Sequence, residues 1–119
     1  MKTEEIAKVL NAKELSAAGE HSSDKEYTMV FATDLMSDAL AMIQNAPEQT
    51  VLLTGLCNAQ ALRTAQMLDL EMIVIVRGKQ PNDEIVEMGR DFGITVLTTP
   101  LTMYEACGVL YREGMRSIS

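Results

Sequence analysis

Four short, largely apolar runs rich in β-branched residues recur along this chain. Each precedes a segment whose apolar positions fall three and four residues apart. The runs are Tyr27-Thr28-Met29-Val30-Phe31, Val51-Leu52-Leu53, Met72-Ile73-Val74-Ile75-Val76 and Ile94-Thr95-Val96-Leu97. Their starts are spaced by roughly 21 to 24 residues, the length of one strand-plus-helix unit. The runs do not alternate apolar with polar, which is the pattern of parallel strands covered on both faces. Between and after them, Met36, Ala39, Leu40 and Ile43 fit one helix face, as do Ala61, Leu62, Ala65 and Leu68 within Asn58 to Leu68. Ile85, Met88, Gly89 and Phe92 repeat the spacing, and so do Met103, Ala106, Cys107 and Leu110. The expected fold class is therefore α/β: a small three-layer sandwich with a mostly parallel sheet of about four to five strands and helices on both faces. Right-handed crossovers are nearly obligatory, but the pattern leaves the strand order open.

Polar punctuation sets the boundaries. Thr102 with Glu105 forms a capping box ahead of the last helix. Pro81, followed by Asn82, Asp83 and Glu84, suits the start of the helix before it, and Gly93 suits its end. Thr3 and the acids Glu4 and Glu5 open a short helix, Thr3 to Leu10, with Asn11 as its stop. Lys13 to Ala17 reads as a short strand and Gly19 to Lys25 as a loop. Gly114 ends the last helix, and a frayed tail is expected beyond it, from residue 113 to 119. The chain reads as one domain, 1–119, with an ordered core from 3 to 112.

Composition narrows function mainly by exclusion. Ten basic and 17 acidic side chains give a formal charge of −7 over 119 residues, the wrong sign for a binder of duplex nucleic acid. No apolar run approaches 18 residues, and the N-terminus has no signal-peptide pattern. No membrane or nucleic-acid partner and a cytoplasmic location are thus expected. Cys57 and Cys107 match no metal spacing, and the one histidine, His21, sits in a polar stretch read as solvated loop. No metal site and no cofactor are expected. The phosphate-binding P-loop, the dinucleotide glycine fingerprint and the nucleophile elbow are all missing.

Open parallel sheets bind ligands beyond the carboxyl ends of their strands. That rule selects four loops: Ala32-Thr33-Asp34, Thr54-Gly55-Leu56-Cys57-Asn58, Arg77-Gly78-Lys79-Gln80 and Thr98-Thr99-Pro100. The candidate ligand-binding set is Thr33, Asp34, Thr54, Gly55, Asn58, Arg77, Gly78, Lys79, Thr98 and Thr99. Arg77 and Lys79 are the sharpest members, because they place two cations around a glycine directly after a buried strand in an acidic chain. Several members also have a plainer role: Thr33 or Asp34 can cap the helix that follows, and Thr54-Gly55 and Thr98-Thr99-Pro100 can be turn chemistry. Cys57 stands where a helix start would lower a thiol's pKa, yet no base accompanies it, so it reads as core filler. Cys107 reads as packing on its helix face. No catalytic set is complete.

Four phrases in order, Thr33-Asp34-Leu35-Met36-Ser37-Asp38, Val51-Leu52-Leu53-Thr54-Gly55, Ile75-Val76-Arg77-Gly78-Lys79-Gln80-Pro81 and Val96-Leu97-Thr98-Thr99-Pro100-Leu101, resemble the DRTGG domain family across about Thr3 to Tyr111. That family includes a module like the N-terminal domain of HPr kinase/phosphorylase, and modules within phosphotransacetylases and CBS-domain pyrophosphatases. The stretch corresponding to the namesake motif reads Asp24-Lys25-Glu26-Tyr27-Thr28, without the paired glycines. The resemblance implies a regulatory homodimer without catalytic residues of its own. Three functions follow as expectations. The first is a non-enzymatic sensor of a small anionic metabolite or nucleotide, bound at the strand ends. The second is an interaction or dimerisation module, serving a partner enzyme. The third is an enzyme using Cys57 or Asp34.

Overall fold

Continuous apolar runs become central strands here because both faces of the sheet are covered. The structure, a computed structural model, describes residues 1–17 and 24–118, so most of the expected Gly19 to Lys25 loop, His21 included, lies outside the described residues. Among the described residues the elements run α1 (Thr3–Leu10), β1 (Lys13–Ser16), β2 (Met29–Ala32), α2 (Met36–Met42), β3 (Thr50–Thr54), α3 (Ala59–Met67), β4 (Met72–Ile75), α4 (Asp83–Phe92), β5 (Thr95–Thr98), α5 (Met103–Arg112) and β6 (Arg116–Ser117). A 3-10 turn, Pro47–Gln49, leads into β3. The sheet order is β1-β5-β4-β3-β2-β6, with β1 antiparallel to β5 and every other pairing parallel.

This order explains the layers. From β2 to β5 the chain steps across the sheet one strand at a time, so right-handed crossovers put α2, α3 and α4 on one face. The step from β5 to β6 runs back across the whole parallel sheet, so α5 must cross the opposite face, where α1 also packs. Alternate strand residues serve the two layers. Leu52, Ile73, Ile75 and Val96 join Met36, Leu62 and Ile85 on the first face. Val51, Leu53, Val74 and Leu97 join Ile6, Leu10 and Leu110 on the second. These strand residues are fully buried, and each large aliphatic side chain so placed contributes about 1.5–3 kcal/mol.

Helix ends follow the expected chemistry with two corrections. Asn11 (φ 51°) and Gly93 (φ 70°) stop α1 and α4 in the left-handed conformation. The Thr102–Glu105 capping box opens α5. Thr3, however, is buried inside α1, and the backbone N–H of Lys2 is met instead by Glu5 Oε1 at 2.9 Å. Neither Thr33 nor Asp34 caps α2, which starts after Leu35 without a side-chain cap. Leu40, placed on the buried stripe by spacing, is 42% exposed, while Met36, Ala39 and Ile43 of that stripe are buried.

The sheet has six strands: the four central ones, the short strand expected at Lys13 to Ala17, which forms the β1 edge, and one that was not expected, β6 at the other edge. The tail expected to fray instead pairs as β6 with Met29 and Val30 of β2. Arg116 N donates to Thr28 O at 2.9 Å, and Met115 is buried beneath that strand.

Candidate functional site

The carboxyl ends of β2, β3, β4 and β5 bring Asp34, Thr54, Gly55, Arg77, Lys79 and Thr98 to one edge of the sheet. Asp34 is the hub. Its side chain reaches across to the β3–α3 turn, where Oδ1 accepts from Gly55 N at 2.6 Å and lies 3.5 Å from Thr54 Oγ1. Its other oxygen faces Arg77 Nη2 at 3.8 Å. Lys79 Nζ donates to Gly55 O at 2.5 Å. Gly55 is buried under the Arg77 guanidinium: an added Cβ would lie only 2.8 Å from Arg77 Cζ. One carboxylate and two cations therefore converge on a turn where the missing side chain leaves room for the guanidinium, with a net local charge of +1 in a chain of charge −7.

Backbone conformation aims the cations. Arg77 and Gly78 both take φ of 68°, a left-handed turn that an arginine adopts at some cost. It is held by Arg77 N donating to Leu101 O at 2.7 Å and Gly78 N donating to Thr99 O at 2.9 Å. Thr98 Oγ1 adds a bond to Lys79 O at 2.7 Å. These bonds have a second effect. The connections after β4 and β5 leave on opposite faces, so the gap between these two strand ends is the topological switch point where ligands usually enter. Here it is laced shut by main-chain bonds, and the exposed chemistry lies one strand over, above β3.

The remaining members of the sequence-derived set have structural partners. Thr33 Oγ1 accepts from Leu35 N at 2.9 Å, shaping the approach to α2. Thr54 Oγ1 accepts from Leu56 N at 3.0 Å, and Asn58 Oδ1 caps α3 at Ala61 N, 3.2 Å away. Thr99 leaves the cluster altogether: its hydroxyl is buried and donates to Leu10 O at 2.5 Å, at the end of α1. The amides of Gly55 and Leu56 are thus already bonded within the chain, so the side chains of Arg77 and Lys79 are what this edge offers an anion. Both oxygens of Asp34 are already engaged there.

Cys57 borders this edge. Burial pushes its thiol up from the usual range, and Lys79 pulls it part of the way back. That is the opposite of nucleophile activation. Cys107 is likewise raised by burial. Among the described residues no group of three or more His, Cys, Asp or Glu is placed to hold a metal, and no helix is long and apolar enough to cross a membrane.

Two larger concavities lie away from the strand ends, and neither was in the sequence-derived set. A groove of about 520 Å³ runs beside Tyr27, Gln49 and Arg116, near the start of β2. Another of about 570 Å³ follows the outer face of α5, past Tyr104, Gly108 and Tyr111. The signal for the second was in the sequence: two tyrosines and a glycine stand on the side of α5 opposite its apolar stripe.

No protein-family model matches the chain, and no curated protein matches it. A solved structure shares the fold: the CBS and DRTGG domains of the regulatory region of Clostridium perfringens pyrophosphatase, complexed with its activator, diadenosine tetraphosphate. The TM-score is 0.74 at 19% identity, and the match covers 92% of this chain and 45% of that one. The present chain thus spans less than half of that chain. The shared fold agrees with the DRTGG-like reading of the sequence.

Proposed function

We propose that this protein is a non-enzymatic, ligand-sensing regulatory domain, and that its ligand is a small anionic metabolite of the nucleotide class. The observation that carries the reading is the half-exposed Arg77 guanidinium lying over Gly55, paired among the described residues with an Asp34 carboxylate 3.8 Å away. A phosphate group can take that carboxylate's place with bidentate geometry, which a guanidinium favours. Lys79 stands beside it as a second cation. The pyrophosphatase region of like fold is complexed with a dinucleoside polyphosphate activator, which supports the ligand class. The binding set proposed is Asp34, Gly55, Arg77, Gly78 and Lys79, with Thr33, Thr54, Asn58 and Thr98 shaping it. A cytoplasmic location and a regulated partner enzyme belong to the same proposal.

The test is a thermal-shift screen at fixed protein concentration with mononucleotides, dinucleoside polyphosphates, acyl phosphates and simple anions. A ligand at about 100 times its dissociation constant stabilises the folded state by roughly 2.7 kcal/mol, which moves the midpoint by several degrees in a domain of this size. A selective shift that disappears in Arg77→Ala and Lys79→Ala supports the sensor. A flat screen refutes it.

A second reading, a homodimeric interaction module, is favoured by a separate observation. The second face of the sheet is covered by only two helices, leaving Val30 and Ala32 of β2 partly exposed.

A further inference from the structure

We infer that the outward face of α5 is a two-fold interface that joins two copies of this chain, an inference that rests on the homodimeric reading and gives it a surface. Tyr104 is 89% exposed and Tyr111 is 79% exposed. They are two of only five aromatic residues in the chain. Large rigid aromatics are what protein interfaces concentrate, and here both sit on one helix, one turn either side of Gly108. Glycine is the worst helix former after proline, and nothing in the chain requires it: a Cβ at Gly108 would meet no atom within 4 Å. A missing side chain on an open helix face admits the close approach of another backbone. The groove beside it, lined by Val30, Ala32, Cys107 and Tyr111, continues the same apolar surface onto β2.

The occupant is set by self-complementarity. At 100° per residue, Tyr104, Gly108 and Tyr111 form the centre of the outward stripe, and Glu105 and Arg112 share one flank. In an antiparallel α5 pair with its two-fold axis near Gly108, positions on one flank stay on that flank and swap ends. Tyr104 of one copy then meets Tyr111 of the other, and Glu105 meets Arg112, each pair formed twice. Within the chain Arg112 Nε faces the neighbouring Glu113 Oε2 at 3.8 Å with both side chains exposed, a contact weak enough to exchange. A surface that carries both halves of its own charge pairing, three residues before and four after a glycine, is suited to a second copy of itself, as an isologous contact requires. Glu105 Oε1 is already used by Thr102 in the capping box, which fixes this carboxylate at the helix start. A single ten-residue helix is a small interface, so the dimer is of the weak, concentration-dependent class.

Sedimentation velocity of the full chain over a range of concentrations tests this. The expected result is a monomer–dimer equilibrium whose dissociation constant rises at least tenfold in Gly108→Lys. That substitution improves the helix, so helical circular dichroism stays equal or increases while the dimer is lost. Arg112→Glu and Glu105→Lys each weaken self-association, and an equimolar mixture of the two recovers a dimer, because the mixed pair restores both opposite-charge contacts. A wild-type chain that stays monomeric at its highest soluble concentration overturns the homodimeric reading and the face together. A dimer that survives Gly108→Lys, or a mixture that fails to recover one, overturns the α5 face alone.

Discussion

Replacing Gly55 by Ala separates the proposed binding role of Arg77 from its role in stability. The new methyl would sit 2.8 Å from Arg77 Cζ, too close to coexist with the present guanidinium position. The obstacle is the far end of a flexible, half-exposed side chain, so the arginine swings away. The stability cost is the Arg77–Asp34 pair. At 3.8 Å, with the partners 48% and 52% exposed, such a pair contributes about 0–1 kcal/mol after solvent screening. Gly55 is not among the glycines with positive φ, so Ala fits the backbone and gains about 0.4–1 kcal/mol by restricting the unfolded chain. The two effects nearly cancel, and the unfolding midpoint should stay within about 3 °C of wild type. Binding has no such compensation. A charge-assisted hydrogen bond from Arg77 to a ligand phosphate contributes roughly 1.5–3 kcal/mol, so its loss weakens binding by about ten- to a hundredfold. Differential scanning fluorimetry and isothermal titration calorimetry with the ligand from the screen measure both quantities. Unchanged affinity in Gly55→Ala, together with lost affinity in Arg77→Ala, would show that the guanidinium binds from some other position. A midpoint lowered by 10 °C or more would show that Arg77 cannot move aside.

Three further outcomes follow from the same structure. Gly89→Ala should behave in the opposite way, because its Cβ would meet Ser16 Oγ at 2.7 Å and Val96 Cγ2 at 2.8 Å. Both are buried and fixed, so overpacking of about 1–3 kcal/mol should outweigh the helix-propensity gain of about 1 kcal/mol, seen as a lower urea midpoint. Tyr27 is fully buried, and neither its hydroxyl nor that of Thr3 meets a partner at hydrogen-bond geometry. Burial, reinforced by Glu71 and partly offset by Thr3, pushes the phenol up from 10.0 to about 12. Its folded pKa lies above the unfolded one, so stability is intact below pH 10 and falls as pH rises from 10 to about 12, by on the order of 2–3 kcal/mol. Tyr27→Phe should remove that decline in alkaline denaturation curves. Cys57, raised by burial and partly lowered by Lys79, should react slowly with iodoacetamide at pH 7, and more slowly still in Lys79→Ala; fast alkylation at neutral pH would revive the thiol as a nucleophile.

How much of this was legible in the sequence depended on range. The central strands and the helix stripes announce themselves because burial on both faces of β3, β4 and β5 selects continuous apolar runs, with threonine as the polar residue admitted. Asn11, Gly93 and the Thr102–Glu105 box could be read because caps are local chemistry. The β6 edge could not. Arg116 and Ser117 are polar and exposed, and they form a strand only because β2 offers Thr28 O and unpaired groups beside them. Thr33 and Asp34 looked like caps, since an Asp or Thr before a helix usually is one. The structure sends Asp34 to another turn 21 residues away, a bond that no local pattern encodes. Thr99 is the clearest case: its place beside Pro100 suggested the loop edge, but its hydroxyl ends on Leu10, 89 residues earlier in the chain. The loops that gather at the edge were predictable from the strand rule, whereas the direction of each side chain within them was not.

The sealed gap between β4 and β5 also constrains how a sensor of this kind could signal. A ligand that merely settled onto two half-exposed cations would bind every conformation of the chain alike and shift nothing. The Asp34 carboxylate changes that. It already fills the position of an anion, bonded to Gly55 N and facing Arg77, and it lies one residue before the Leu35 position that opens α2. A phosphate that takes Arg77 must release Asp34 from the guanidinium, and the released side chain is tied to the start of α2. Such a ligand would contact the chain differently with Asp34 paired and with Asp34 released, which is the requirement for regulation. The short α2, with two turns, no side-chain cap and an exposed Leu40, has little local chemistry to resist such a change. On the proposed reading, binding at this edge would be coupled to one helix of the first face and not to α5, which lies on the other face of the sheet.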